Sequence, residues 1–138
     1  MAVADLVVQA ALGMWLGSIV FFSLIAAPAL FEELGEERAG DAVNVVFPKY
    51  YSFGIWMGAV VLAVWAASPF VNAVDAPPVL ADAAVVVAFV ANVYARYRLI
   101  PKMDAAGSEA FAQYHKQSVG LNLVALAAVA TAFAVLHF

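Results

Sequence analysis

The side chains of this sequence that are best suited to bind a ligand lie near its C-terminal end. Four residues at intervals of four, three and four share one face of a predicted helix. They are Phe111, His115, Ser118 and Asn122. Asn92 and Arg96, four residues apart, form a similar pair earlier in the chain. Imidazole, guanidinium, hydroxyl and carboxamide groups can bind a polar solute or a metal species, or hydrogen-bond to one another.

The residues needed for most catalytic and cofactor chemistry are missing. There is no Cys, which excludes a disulfide, a thiolate metal site and an iron–sulfur cluster. His115 and His137 would be about 33 Å apart along one helix, so one protomer cannot hold a haem between them. The sequence shows no Ser-His-Asp set, phosphate loop or HExxH motif. We therefore predict no catalytic residues, no metal site and no cofactor.

The composition is that of a membrane protein. Of the 138 residues, 67% are apolar and 12% are charged, and the mean hydropathy is +0.96. Soluble domains are roughly 45–50% apolar and about 25% charged. The net charge of −4 with six Lys and Arg residues supplies no basic face for nucleic acid. We predict a lipid bilayer as the environment of this chain.

Four apolar runs are long enough to cross a bilayer, whose core of about 30 Å requires about 20 helical residues. They cover about residues 6–30, 50–67, 79–100 and 118–136. Because lipid offers backbone groups no hydrogen bonds, each run should be helical. We predict one all-α domain, an integral membrane four-helix bundle. Residues 36–47 show an apolar helical face and predict an amphipathic surface helix, with a solvated connector as the alternative.

The basic residues predict the orientation of the bundle. All six lie in the loops that follow the first and third spans, or at the membrane edges of those loops. They are Arg38, Lys49, Arg96, Arg98, Lys102 and Lys116. Short basic loops remain cytoplasmic, so both termini should lie outside. The chain is thus predicted to be a multi-pass protein of the cell membrane.

With this orientation, polar side chains from all four spans fall in the cytoplasmic half of the bundle, including Ser23 and Ser52. The hypothetical pocket consists of Tyr51, Asn92, Arg96, His115, Ser118 and Asn122. One interpretation is that these groups only lock the bundle through interhelical hydrogen bonds. The other is a pocket for a solute or metal species, open to the cytoplasm.

A Gly-x-Trp-x-Gly pattern occurs twice. It covers residues 13–17 in the first span and 54–58 in the second. Glycines four residues apart let another helix approach closely. Gly13, Gly17, Gly54 and Gly58 therefore predict packing between the first two spans, or a homo-oligomer that uses one of the two grooves.

Several residue groups together resemble the transmembrane protein 205-like family, over about residues 13–126. They are Gly17, Phe21-Phe22, residues 27–31, 47–51 and 98–101, and the face from Phe111 to Asn122. The family-defining set carried over is Pro28, Pro48, Tyr51, Pro101, His115, Ser118 and Asn122.

The resemblance implies a four-helix membrane protein of unsettled activity, not an enzyme. A human relative is associated with resistance to a platinum drug, which suggests efflux, trafficking or stress handling. The architecture also looks distantly like copper-resistance membrane proteins and four-helix protoporphyrinogen oxidases, which carry a His in the first helix. The first span here has none, which argues against haem chemistry.

The leading hypothesis is a membrane protein that binds or passes a small solute or metal species through the polar pocket. The alternatives are a structural or assembly subunit, and a haem- or quinone-linked oxidoreductase.

Overall fold

The computed structural model describes the backbone of residues 3–105 and 108–138, and the side chains of residues 3–35, 37–102, 113 and 116–138. These residues form six α-helices and two π-helical segments, without a strand among them. The helices are α1 (Val3–Phe21), α2 (Ala27–Leu34), α3 (Glu36–Ala66), α4 (Val79–Tyr94), α5 (Ile100–Ala105) and α6 (Ser108–His137). The π segments are Phe22–Ala26, between α1 and α2, and Ala95–Leu99, between α4 and α5.

Four continuous helical stretches are long and apolar enough to cross a membrane. Span 1 is Val3–Leu34, span 2 is Glu37–Ala66, span 3 is Val79–Lys102 and span 4 is Lys116–His137. Span 1 packs against spans 2 and 4, and span 3 also packs against spans 2 and 4, so the four helices form a square bundle. The predicted all-α membrane four-helix fold is confirmed.

The segment predicted as a separate surface helix, residues 36–47, is the first part of α3. Pro48 lies inside this helix rather than at a boundary. One face continues through the proline, because buried residues recur every fourth position: Ala39, Val43, Phe47 and Tyr51. This apolar face packs against the bundle. The helix is interrupted just before α3, at Gly35, whose φ of 78° favours a residue without a Cβ.

Each π segment ends two residues before a proline. Phe22–Ala26 precedes Pro28, and Ala95–Leu99 precedes Pro101. Proline lacks the backbone N–H of a helical residue, and its ring clashes with the carbonyl four residues earlier. A π turn carries one extra residue and shifts the hydrogen-bond ladder, which accommodates the proline. Both irregular turns lie in the half of the bundle that carries the polar side chains.

Small residues let spans 3 and 4 approach closely. The buried face of span 3 carries alanines at intervals of three and four, namely Ala81, Ala84, Ala88, Ala91 and Ala95. Without bulky side chains, helix backbones can make extensive van der Waals contact, which is a main source of helix association in lipid. Span 4 contributes Ala125, Val129 and Ala132 to the same core.

Candidate functional site

The indole of Trp15 joins spans 1 and 2. A Cβ placed on Gly54 would lie 2.8 Å from Trp15 Nε1, and one on Gly58 would lie 3.1 Å from Trp15 Cη2. The indole therefore lies across both glycines of span 2. The same Cβ on Gly54 would also lie 2.5 Å from Asn92 Oδ1, and the one on Gly58 would lie 2.8 Å from Phe89 Cδ2. These glycines thus make room for side chains from spans 1 and 3.

The glycines of the first pattern, unlike those of the second, face open space. A Cβ at Gly13 or Gly17 would meet nothing within 4 Å. In a helix the central Trp of the pattern points about 200° away from the first Gly, so only one of the two can face the bundle. Trp15 faces inward and is 1% exposed, whereas Trp56 faces outward and is 70% exposed. Within one chain, therefore, the Trp of the first copy packs against the glycines of the second copy.

Asn92 and Arg96 belong to the contact between spans 2 and 3. Asn92 is buried, and its Nδ2 donates to the carbonyl of Ala88 at 2.8 Å. Arg96 Nε donates to Ser52 Oγ at 3.2 Å. Both side chains were predicted as part of the polar pocket. In the structure Arg96 hydrogen-bonds span 3 to span 2, and Asn92 lies against Gly54 of span 2.

Asn122 connects three spans. It accepts a hydrogen bond from the Tyr50 hydroxyl through Oδ1 at 2.5 Å. Its Nδ2 donates to Ser23 Oγ at 2.6 Å. One carboxamide of span 4 thus ties span 2 to span 1. Asn92 makes neither of these bonds, so the two asparagines belong to different interhelical contacts.

A second polar pair lies beside this chain of hydrogen bonds. The hydroxyl groups of Tyr51 and Ser118 are 2.6 Å apart, and either can be the donor. Both residues are buried. Two hydroxyl groups that share one hydrogen bond use one of their two protons, so one O–H donor remains in the pair.

Aromatic rings hold the two tyrosines in place. The rings of Phe22 and Tyr50 stack with centroids 4.6 Å apart, and those of Phe47 and Tyr51 stack at 5.8 Å. Phe22 and Phe47 also contact each other, at 5.6 Å. Offset contacts of this kind fix ring orientation. The two phenol hydroxyls are therefore directed at span 4 by a packed cluster.

These groups border a cavity of about 250 Å³ between spans 1, 2 and 4, which we call the inner cavity. Its wall on span 1 includes the first π segment. The lining residues are Phe22, Ser23, Leu24, Ala27, Phe31, Val43, Phe47, Tyr51, Ser118, Val119, Asn122 and Leu123. The polar atoms among them are three hydroxyls and one carboxamide, all uncharged.

The inner cavity brings together three of the six residues of the predicted pocket: Tyr51, Ser118 and Asn122. Asn92 and Arg96 lie at the contact of spans 2 and 3, and the side chain of His115 lies outside the described residues. The predicted set of six pocket residues did not include Ser23 or Tyr50. Ser23 could have been found from its position in the apolar run five residues before Pro28. Tyr50 has the sequence context of a membrane-interface residue, which concealed its bond to Asn122.

Comparison with known proteins gives a family but no activity. Residues 10–112 match a family described as a domain of unknown function, DUF4149. A protein of Aquifex aeolicus (strain VF5), described as uncharacterized, is 31% identical over 120 residues, which cover 85% of this chain and 84% of that protein. No solved structure matches. The resemblance to the transmembrane protein 205-like family is named by neither match and stays a prediction.

Proposed function

The chain belongs to the DUF4149 family of unknown function, and we propose that it is a multi-pass cell-membrane protein that binds a small uncharged molecule in the inner cavity. One observation carries this proposal. Spans 1, 2 and 4 each direct neutral polar side chains at the same cavity, through Ser23, Tyr51, Ser118 and Asn122. A largely apolar cavity at which a small number of polar groups converge is typical of ligand sites.

The uncharged lining favours a neutral organic molecule over a metal ion. Metal ions in proteins are held mainly by carboxylates, imidazoles and thiolates. The described residues that line the inner cavity supply hydroxyl and carboxamide groups instead. Transport of the bound molecule across the membrane, including a role in resistance or stress handling, would follow this binding step. It would require a second opening of the inner cavity.

Replacing Asn122 with Leu tests the binding proposal. The substitution places an apolar side chain at the cavity wall and removes the bonds to Tyr50 and Ser23. Among small neutral amides, ketones and esters screened by thermal unfolding in mild detergent, we expect at least one to stabilise the wild type. The Asn122→Leu protein should lose that gain.

Thr131→Leu is the matched control, because Thr131 is a polar residue of the same helix, bonds only to the carbonyl of Ala127 and is exposed. It should keep the gain. Equal stabilisation of the wild type and Asn122→Leu would contradict the proposal.

A structural role is the second candidate, and one observation favours it. Ser23, Tyr51, Ser118 and Asn122 all take part in interhelical hydrogen bonds. Such bonds contribute roughly 0.6–2 kcal/mol each in membrane proteins. A purely structural role predicts that Asn122→Leu lowers the melting temperature while the compound screen stabilises no form of the protein.

We also propose a homo-oligomer, in which Trp56 of one copy lies across Gly13 and Gly17 of the next. Trp15 provides the template, since it lies across Gly54 and Gly58 within one chain. Because each Trp points away from the glycines of its own pattern, the free groove of span 1 and the free indole of span 2 face opposite directions. The copies therefore associate head to tail in a heterologous interface, in which each copy supplies its indole to one neighbour and its groove to the other.

The oligomer can be checked by Trp56→Ala. The exposed indole would be lost without change to the bundle interior, so the variant should run as a monomer where the wild type is oligomeric. The measurement is cross-linking or mass photometry in nanodiscs. Phe53→Ala, which removes a neighbouring exposed ring of span 2, is the control and should stay oligomeric. An unchanged oligomer population in Trp56→Ala would contradict this interface.

A further inference from the structure

The inner cavity has two kinds of lining. Its floor is buried, and Tyr51 and Ser118 are 3% and 2% exposed. Its rim consists of apolar side chains on the outer surface of the bundle, namely Leu24, Phe31, Val119 and Leu123. Exposed apolar side chains of a membrane span face lipid. The mouth of the cavity between spans 1 and 4 therefore opens sideways, toward the acyl chains.

The size of the cavity indicates a partly enclosed occupant. Pockets that enclose a whole drug-sized molecule measure about 300–1,000 Å³. The inner cavity, at about 250 Å³, is smaller and open at the rim. It fits one end or one chain of a longer molecule whose remainder stays in the bilayer.

The floor can donate hydrogen bonds. One O–H of the Tyr51–Ser118 pair is not used within that pair. Ser23 accepts from Asn122 and also interacts with the Tyr50 hydroxyl, so it is not counted as a free donor. A ligand with an acceptor oxygen can take the remaining hydrogen bond of the Tyr51–Ser118 pair, and a carbonyl is the simplest such acceptor.

The depth of the floor matches the ester region of the bilayer. Ser118 and Asn122 lie two and six residues after Lys116, the last residue with a full charge before the apolar run of span 4, or about 3 and 9 Å along the helix. The headgroup region on each side of the hydrocarbon core is about 5–7 Å thick. Ester carbonyls of glycerolipids occur at that boundary. Lys49 and Lys116, each exposed and two residues before a floor residue, lie at the level of a phosphate.

From these observations we infer that the inner cavity is a lateral site for an inner-leaflet diacyl phospholipid. An ester carbonyl accepts the remaining hydrogen bond of the Tyr51–Ser118 pair, and the acyl chain leaves between Val119 and Leu24. The inference rests on the proposed binding function and names its ligand class. The π turn of span 1 forms one wall of the mouth, a location consistent with the frequent occurrence of π bulges at functional sites.

The test is native mass spectrometry of delipidated protein titrated with two lipids. One is a diester phosphatidylglycerol and the other is its diether analogue, which has the same headgroup and chains but no carbonyl. We expect one diester lipid per chain. It should bind roughly 2–10-fold more tightly than the diether, the range that one or two neutral hydrogen bonds provide. The combined Tyr51→Phe and Ser118→Ala variant should lose this preference.

Access through the rim is tested by Val119→Trp, which narrows the mouth at an exposed position. Val90→Trp is the control, since Val90 is equally lipid-facing but lies on span 3, away from the cavity. Thermal unfolding confirms that each variant is folded. We expect Val119→Trp to weaken diester binding at least about 5-fold and Val90→Trp to leave it unchanged, because only the former narrows a site whose ligand must pass the rim.

Wild-type affinity in Val119→Trp, an equal loss in Val90→Trp, or an ester preference that survives removal of both hydroxyls would overturn the lipid site. If a water-soluble neutral compound still stabilises the wild type but not Asn122→Leu, the proposed binding function stands without the lipid. If neither lipid nor compound binds, both proposals fail.

Discussion

Replacing Trp15 with Ala is expected to lower the free energy of unfolding by about 3 kcal/mol, the low end of the range for buried Trp→Ala changes. The indole is 1% exposed and fills the space above both Gly54 and Gly58. In lipid, packing rather than escape from water provides most of the helix association energy, so the lost van der Waals contacts dominate. Equilibrium unfolding in mild detergent measures the change.

Trp56→Ala provides the matched control for this prediction. It removes the same side chain from the equivalent position of the second pattern, where the indole is 70% exposed. In a detergent that keeps the protein monomeric, its free energy of unfolding should stay within about 0.5 kcal/mol of the wild type. Equal losses for the two variants would show that Trp15 is not the internal contact described above.

Adding a single methyl group at Gly54 is the second large effect. The new Cβ would lie 2.5 Å from Asn92 Oδ1, and Asn92 is fixed by its bond to the carbonyl of Ala88. The same Cβ would lie 2.8 Å from Trp15 Nε1, so it would also clash with the indole. Gly54→Ala should therefore push spans apart and lower the free energy of unfolding by about 1–3 kcal/mol, as overpacking does.

Gly17→Ala makes the same chemical change where a Cβ meets nothing within 4 Å. Because Ala favours a helix over Gly by about 1 kcal/mol, this variant should be as stable as the wild type or slightly more stable when monomeric. The comparison requires both unfolding curves in one detergent. A Gly54→Ala protein as stable as Gly17→Ala would mean that the groove of span 2 is empty.

The bundle divides into two halves with different construction. In one half, Trp15, Val61, Val85 and Val129 form a dense apolar core. The other half combines a smaller buried cluster, around Phe47 and Leu99, with prolines, π turns and hydrogen-bonded side chains, and the inner cavity lies there. The densely packed first half stabilises the bundle and so permits a cavity in the second half. The largest expected effects on stability and the proposed effects on binding therefore fall on different residues.

The sequence was sufficient for the fold because hydropathy and length impose strong constraints in lipid. A run of about 20 apolar residues has few alternatives to a spanning helix. The helix ends were less predictable. The surface segment 36–47 and the span from about residue 50 were predicted as separate elements, yet α3 continues through Pro48. The face of Ala39, Val43, Phe47 and Tyr51 packs on both sides of this proline.

The candidate site was predictable only in part, since spacing gives the face of a helix but not its partner. The spacing of Ser118 and Asn122 placed them on one face, and they do line one cavity. Asn92 instead lies against Gly54, and no pattern within one helix reveals which neighbouring side chain will fill a groove. The π turns were also missed, although Pro28 and Pro101 mark their ends.

The polar half and the basic residues of the bundle are predicted to face the cytoplasm, and both the inner cavity's proposed ligand and its route of entry depend on this orientation. Because the chain has no Cys, single cysteines at Asp75 and Lys102 can report their side in intact cells with a membrane-impermeant maleimide. Both positions are exposed, and Asp75 lies between α3 and α4, in a pocket shared with Asp5 near the amino terminus. We predict that Asp75→Cys is labelled in intact cells and Lys102→Cys only after permeabilisation; labelling of both, or of Lys102→Cys alone, in intact cells would contradict the account.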